Sequence, residues 1–204
     1  MKKYFLIVLC VSISSILMAQ ETQKQKEVGL IFSNLDNFGL TYKTGNNKAL
    51  WRFTTLFLNG ENDESKKDAF KRTQNYFGFG VKVGREYRIP LAENMELKYG
   101  TDLSFQYSRS KYELDYTDPD HSDQLDERTI YQPGLNLVFG FNYWLSDNIV
   151  LGVELLPEFS YKTGEIIEKG NYYGNGDNDL KSDVSGFNYG LSNNSALLSV
   201  AYKF

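Results

Sequence analysis

The chain has 204 residues, one cysteine, one histidine and a formal charge of −4. Lys2, Lys3 and Cys10 all lie in an N-terminal stretch of export-signal character, whose loss moves the formal charge from −4 to −6 and removes the only thiol. That excludes disulfide and thiol chemistry, and so acidic a remainder argues against a nucleic-acid partner. Mean hydropathy is negative, and beyond the signal no apolar run approaches the ~20 residues of a spanning helix.

In chain order, the two lysines, the apolar run 4–18 and Ala19 predict a secretory signal peptide over 1–19, cut after Ala19 or Gln20. Residues 20–204 are then one domain of about 185 residues. From 27 the chain alternates. Val28, Leu30 and Phe32 oppose Gly29, Ile31 and Ser33; after a turn at 34–37, Phe38, Leu40 and Tyr42 oppose Gly39, Thr41 and Lys43. Residues 49–59 set Trp51, Phe53, Thr55 and Phe57 against Arg52, Thr54 and Leu56, the least clean alternation of the chain. Residues 60–74 are expected to be a charged loop. In 75–87, Phe77, Phe79, Val81 and Val83 face away from Gly78, Gly80, Lys82, Gly84 and Glu86. A turn holding Pro90 is expected over 88–95. In 96–108, Leu97, Tyr99, Leu103, Phe105 and Tyr107 oppose Lys98, Gly100, Asp102, Ser104 and Gln106. Residues 110–129 are expected to be an acidic loop.

The clearest pattern is 134–161. Leu135, Leu137, Phe139, Phe141 and Tyr143 share one parity, Ser146, Asp147 and Asn148 make a turn, and Ile149, Leu151, Val153, Leu155, Phe159 and Tyr161 resume the apolar face. Glu154 and Glu158 lie opposite, and Pro157 predicts a bulge or the end of the membrane span. A third loop is expected over 163–182, and Ala196, Leu198, Val200, Tyr202 and Phe204 line one face of a closing strand. A period of two puts each set on one side of a strand. A wholly apolar side opposite a small, polar or charged one is the pattern of a transmembrane β-barrel.

The expected fold is therefore all-β: an eight-stranded antiparallel up-and-down transmembrane β-barrel. Residues 184–204 count as one final strand with an irregularity near Asn193 and Asn194, and 184–191 extends above the membrane or folds back as a flap. Three long loops then lie at the outer end, with the short turns and both termini at the periplasmic end. Merging the first two strands and splitting the last at Asn193 also gives eight, with the long loops in the periplasm. The first threading sets Tyr87, Tyr99, Tyr143, Tyr202 and Phe204 at one rim and Phe77, Tyr107, Tyr131, Phe159 and Tyr161 at the other. Interfacial aromatic girdles take that form.

The closing SVAYKF, with Tyr202 and terminal Phe204, resembles the C-terminal insertion signal of outer-membrane barrels. The segments VGLIFSNLDNFGLTYKTGNNKALWR and NYWLSDNIVLGVELLP resemble small outer-membrane β-barrel domain proteins of Bacteroidota, similar in size to Ail/OmpX and OmpA-type barrels. The resemblance implies a cell outer-membrane location, contact with outer-membrane lipid and lipopolysaccharide, and assembly by the barrel-insertion machinery.

The threading sends Lys43, Arg52, Lys82, Lys98 and Lys203 into the lumen with Glu86, Asp102, Glu154 and Glu158. An eight-stranded interior is just wide enough for side chains to fill. Charges there must pair, because a lone desolvated charge costs several kcal/mol. The expected role of these nine is a structural plug; the alternative is a small ion or solute channel. A lipid-modifying enzyme would need a general base, and His121, beside Ser122 in an acidic loop, is the only histidine to draw. No catalytic, metal or cofactor residue is assigned. Asp177, Asp179 and Asp183 alternate but lack the glutamate of a calcium loop. Tyr116, Tyr172 and Tyr173 are candidate contacts for an extracellular partner. The reading is a monomeric, non-enzymatic structural or surface-interaction barrel.

Overall fold

A computed structural model describes residues 24–33, 38–118, 121–170, 180–191 and 195–204. The expected signal peptide, Cys10, the turn at 34–37, Tyr172, Tyr173, Asp177, Asp179 and the Asn193–Asn194 irregularity lie outside them. Ten strands follow one another: β1 (Gln25–Phe32), β2 (Phe38–Gly45), β3 (Ala49–Lys67), β4 (Phe70–Ala92), β5 (Met95–Tyr116), β6 (Gln124–Trp144), β7 (Ile149–Leu155), β8 (Glu158–Lys169), β9 (Leu180–Gly190) and β10 (Ala196–Lys203).

All neighbours are antiparallel, and β1 through β7 with β10 close into a ring of eight, β10 pairing with both β1 and β7. The remaining two strands continue the ring's own positions. β8 takes over the pairing with β6 where β7 leaves it, and β9 pairs with β8. Pro157 opens no bulge on that side: Leu155 pairs Phe139 and Glu158 pairs Asn136 in one continuing register. The Leu137 amide donates to the Pro157 carbonyl at 2.9 Å, and the proline, having no N–H, returns no bond to Leu137. Residues 184–190 thus belong to a separate strand, β9, paired along β8.

The turns after β2, β4 and β6, the start of β1 and Phe204 share one end of the ring. In the turn after β2, the Asn46 side-chain oxygen accepts from the Lys48 and Ala49 amides at 3.0 and 2.9 Å. After β6, Ser146 Oγ accepts from the Ile149 amide at 3.2 Å, and Asn148 Nδ2 donates to the Lys203 carbonyl at 2.9 Å. Phe204 closes the seam through backbone bonds with Lys26.

At the opposite end three expectations are corrected. The charged loop at 60–74 is a hairpin: β3 runs to Lys67 and β4 starts at Phe70. The acidic loop at 110–129 shrinks to 117–123, because β5 reaches Tyr116 and β6 begins at Gln124. Within the third loop, 163–169 belongs to β8 and 180–182 to β9. The turn at 88–95 also shortens to Glu93 and Asn94, since β4 continues through Pro90 to Ala92. Pro90 makes that segment read as a turn; the other three share one physical reason. Paired backbone holds these segments extended whatever their side chains, and polar side chains on both faces erase the hydrophobic alternation.

The outer face carries an apolar band with a defined upper edge. On β5 the outward parity is apolar at Leu97, Tyr99, Leu103, Phe105 and Tyr107, then charged at Arg109, Lys111, Glu113 and Asp115. Arg109 pairs Phe77 on one side and Thr129 on the other. Tyr107 packs against Phe77, Phe79 and Tyr131 at 6.3, 5.7 and 5.3 Å between ring centroids. Tyr161 and Phe159 meet Phe187 at 4.9 and 5.7 Å. Just beyond, Arg109 Nη2 lies 2.7 Å from Glu127, and Lys181 pairs with Glu165. Leu97 to Tyr107 matches the roughly nine to eleven residues a tilted strand needs to cross hydrocarbon.

Candidate functional site

The inward parity converges on a buried ion cluster. Its centre is Arg52 on β3. Nη2 lies 2.7 Å from Glu154 Oε2 on β7, across the lumen, and Nη1 lies 3.1 Å from Glu86 Oε2 on β4. Nε approaches Asp102 Oδ1 on β5 at 3.3 Å, a charge contact without hydrogen-bond alignment. Lys43 on β2 reaches Glu86 at 2.7 Å and Glu154 at 3.9 Å. Lys98 on β5 donates to Glu154 Oε1 at 2.8 Å. Nearer the start of β1, Arg88 donates from both terminal nitrogens to Glu27, at 2.7 and 2.8 Å, and from Nε to Glu86 at 2.7 Å. Gln25 also donates to Glu27.

Glycines make the room. A Cβ at Gly140 would lie 3.0 Å from Lys98 Cε, and one at Gly152 would lie 2.7 Å from Lys98 Nζ. The lysine therefore lies flat across two bare backbones to reach Glu154. Isolated charges are costly here, and Glu27, Glu86 and Glu154 are each held by an arginine or a lysine.

Of the nine lumen residues expected from sequence, Lys43, Arg52, Glu86, Lys98, Asp102 and Glu154 come together in this cluster. Lys82 and Glu158 line a cavity above it. Lys203 stands apart, its ammonium 4.6 Å from the Trp144 ring at the end of the barrel that holds the β6–β7 turn. Tyr202 and Phe204 are exposed on the outer face. Arg88 and Glu27 escape the sequence reading: Arg88 falls in an expected turn, and Glu27 stands at a strand's first position. Parity could have found both, since Arg88 continues the series Lys82, Gly84, Glu86, and Glu27 precedes Gly29 and Ile31.

The cavity has a volume of about 430 Å³ and lies where β1 and β2 stop short of their neighbours. A β-bulge shapes it. Thr55 pairs Val81 but Phe57 pairs Gly80, so Leu56 is the extra residue. The bulge turns Phe57 inward, against the sequence expectation that it shares the face of Trp51 and Phe53. Its ring lies over Gly80 and Gly78, where an added Cβ would approach it to 2.8 and 3.1 Å. Thr55 Oγ1 meanwhile accepts from the Leu40 amide at 2.8 Å, capping the last β2 contact. Leu56 and Phe57 form one apolar side with Ile31 and Leu197, which belong to a buried cluster with Val138 and Leu156. The other side is polar: Lys82, Gln106, Gln132 and Glu158. Gln132 Nε2 donates to Ser160 Oγ at 2.9 Å and weakly to Glu158 at 3.4 Å.

His121 lies in the surface loop, exposed, its Nδ1 3.3 Å from Asp118 and its ring stacked on Tyr116.

A closed antiparallel ring with an apolar band outside and paired charges inside defines a membrane-spanning β-barrel of the outer-membrane type. Solved structures similar to the chain include three outer-membrane proteins. A major outer membrane protein from Thermus thermophilus has 12% identity over 89% of this chain and 100% of that chain, with a TM-score of 0.46. Ail, the attachment invasion locus protein of Yersinia pestis, has 14% identity over 91% of this chain and 100% of that one, with a TM-score of 0.36. Acinetobacter baumannii CarO has 12% identity over 88% and 96%, with a TM-score of 0.31. No family model and no curated protein matches the chain.

Proposed function

We propose that this chain is a non-enzymatic protein of the cell outer membrane that acts by surface interaction, with a lumen closed to solute. The observation that carries the proposal is the ion cluster. It ties β1 to β4, β2 to β4, β3 to β7 and β5 to β7. A solute crossing that layer would have to break several buried charge pairs at once, each costing several kcal/mol to open. The three long hairpins rise past the apolar band as strands with charged outer faces, and they are the surface offered to an extracellular partner.

The same reading takes 1–19 as a signal peptide and Tyr202 with Phe204 as the signal for insertion. It takes lipopolysaccharide as the surrounding lipid and the monomer as the working form. The Bacteroidota character rests on the sequence motifs alone and belongs to the same proposal. Purified protein in planar bilayers tests the closed lumen. No steady conductance is expected; an ohmic current that changes in Lys82→Ala or Glu154→Ala would replace this reading with a channel. Capture from intact cells with and without the three hairpins tests the interaction surface, and equal capture by both forms would remove it.

A further inference from the structure

Lys82 is the cation that the ion cluster leaves over. It is only 5% exposed, yet among the described residues it makes no hydrogen bond and no ion pair within 4.0 Å. Of the acids acting on it, Asp102 lies against Arg52 at 3.3 Å without a hydrogen bond, and Glu158 receives Gln132 weakly at 3.4 Å; neither pairs with Lys82. The side chain is buried but the ammonium is not sealed from solvent; with no protein acceptor bonded to it, it is left to whatever occupies the space beside it. Its side chain lines the 430 Å³ cavity, whose size suits a small ligand. Facing it are Leu56 and Phe57, and the bulge that turns Phe57 inward is the feature that gives the cavity an aromatic wall.

We propose that this cavity binds a small amphiphile with an anionic head and an apolar body, the head on Lys82 and the body against Phe57, Leu56, Ile31 and Leu197. Gln106 and Gln132 offer carboxamides to the same head. Glu158 repels a dianion, so the site favours a single negative charge, as in a monocarboxylate. The cavity's lining includes Phe38, whose side chain is exposed, and Gly39. The ligand can therefore arrive from the medium or from the surrounding leaflet, and the shared chemistry is an acyl chain ending in one negative charge. The inference uses the barrel reading but not the surface-interaction role.

The test is isothermal titration of the barrel held in amphipol, free of lipid and detergent, with dodecanoate, dodecanol and acetate. Saturable binding is expected for dodecanoate, with dodecanol and acetate each at least tenfold weaker. Lys82→Gln should weaken dodecanoate at least tenfold and Lys82→Arg less than threefold. Ser33 also lines the cavity and takes no part in the ion cluster, so Ser33→Trp should abolish binding by filling the space. Each variant is checked for the heat-dependent gel shift of a folded barrel, so loss of the fold is seen separately from loss of the site. In lipid nanodiscs, competition by phosphatidylglycerol would assign the ligand to the leaflet, and its absence to the medium. No saturable dodecanoate binding, equal binding of dodecanol, or an unchanged Lys82→Gln in a folded barrel would overturn the proposal.

Discussion

The two ends of the barrel use the same strands under different rules. Around the ion cluster the ring is closed, its outside apolar and its inside charged. Past the level of Tyr107, β3, β4, β5, β6, β8 and β9 continue as a wall, and β3 and β9 have no outer partner there among the described residues. Closure is obligatory where the outside meets hydrocarbon, because an unpaired backbone group there costs several kcal/mol. Beyond the band, water can satisfy an edge. The side chains follow: Arg109 with Glu127 and Glu64 with Lys71 are surface pairs, worth little by the usual measure, whereas Arg52 is held by three buried acids.

The sharpest way to break this contrast is Arg52→Met. It leaves Glu86, Glu154 and Asp102 short of their shared cation and is expected to cost about 3–5 kcal/mol. Denaturant unfolding in lipid vesicles, followed by the gel shift, measures it; a loss under about 1 kcal/mol would mean the cluster relaxes freely. Next is Gly80→Val. The new side chain collides with Phe57 and should cost about 1–3 kcal/mol. Phe57→Ala should relieve most of that in the double variant, and strict additivity would show that Phe57 does not face inward.

Replacing 62–75 with an Asn-Gly turn, so that Glu61 leads into Tyr76, tests the other side of the contrast. Folding stability should change by less than about 1 kcal/mol, since the wall unfolds locally. A barrel that fails to fold would show that the wall supports the ring. The smallest effect is at Glu64, whose carboxyl is held below its ordinary value by a hydrogen bond from Lys71. A depressed carboxylate adds stability above its unfolded pKa and loses it as pH falls through the folded one. Glu64 is fully exposed, so the effect is visible only as a titration. NMR should show it rising toward the ordinary value in Lys71→Ala; an unmoved curve would remove the pair.

Legibility in the sequence follows the same boundary. Leu135 to Tyr143 and Ile149 to Leu155 announce themselves because hydrocarbon outside and a polar lumen inside force opposite chemistry onto alternate residues. Glu61 to Lys67 and Lys111 to Tyr116 do not, since water on both faces allows any polar residue and strand looks like loop. Phe57 is misplaced for a different reason: one extra residue inverts parity, and nothing in ALWRFTTLFLNG marks Leu56 as the extra one. Six of the expected lumen charges meet because parity alone points them inward. Lys203 shares that parity but stands at the barrel's end, where Trp144 rather than an acid receives it. Arg88 is hidden by Pro90, which reads as a turn although β4 passes through it.

Spin-label accessibility along β5, β6 and β7 in lipid vesicles, with Cys10 replaced by Ser, tests the arrangement most directly. Labels at Leu151, Val153, Leu137 and Leu103 should be reached by oxygen dissolved in the bilayer and shielded from a water-soluble nickel chelate. Labels at Val150 should be shielded from both, and labels at Lys111 and Glu113 open to the chelate. Chelate access at Leu151 and Val153 equal to that at Lys111 would contradict a barrel whose apolar face meets lipid.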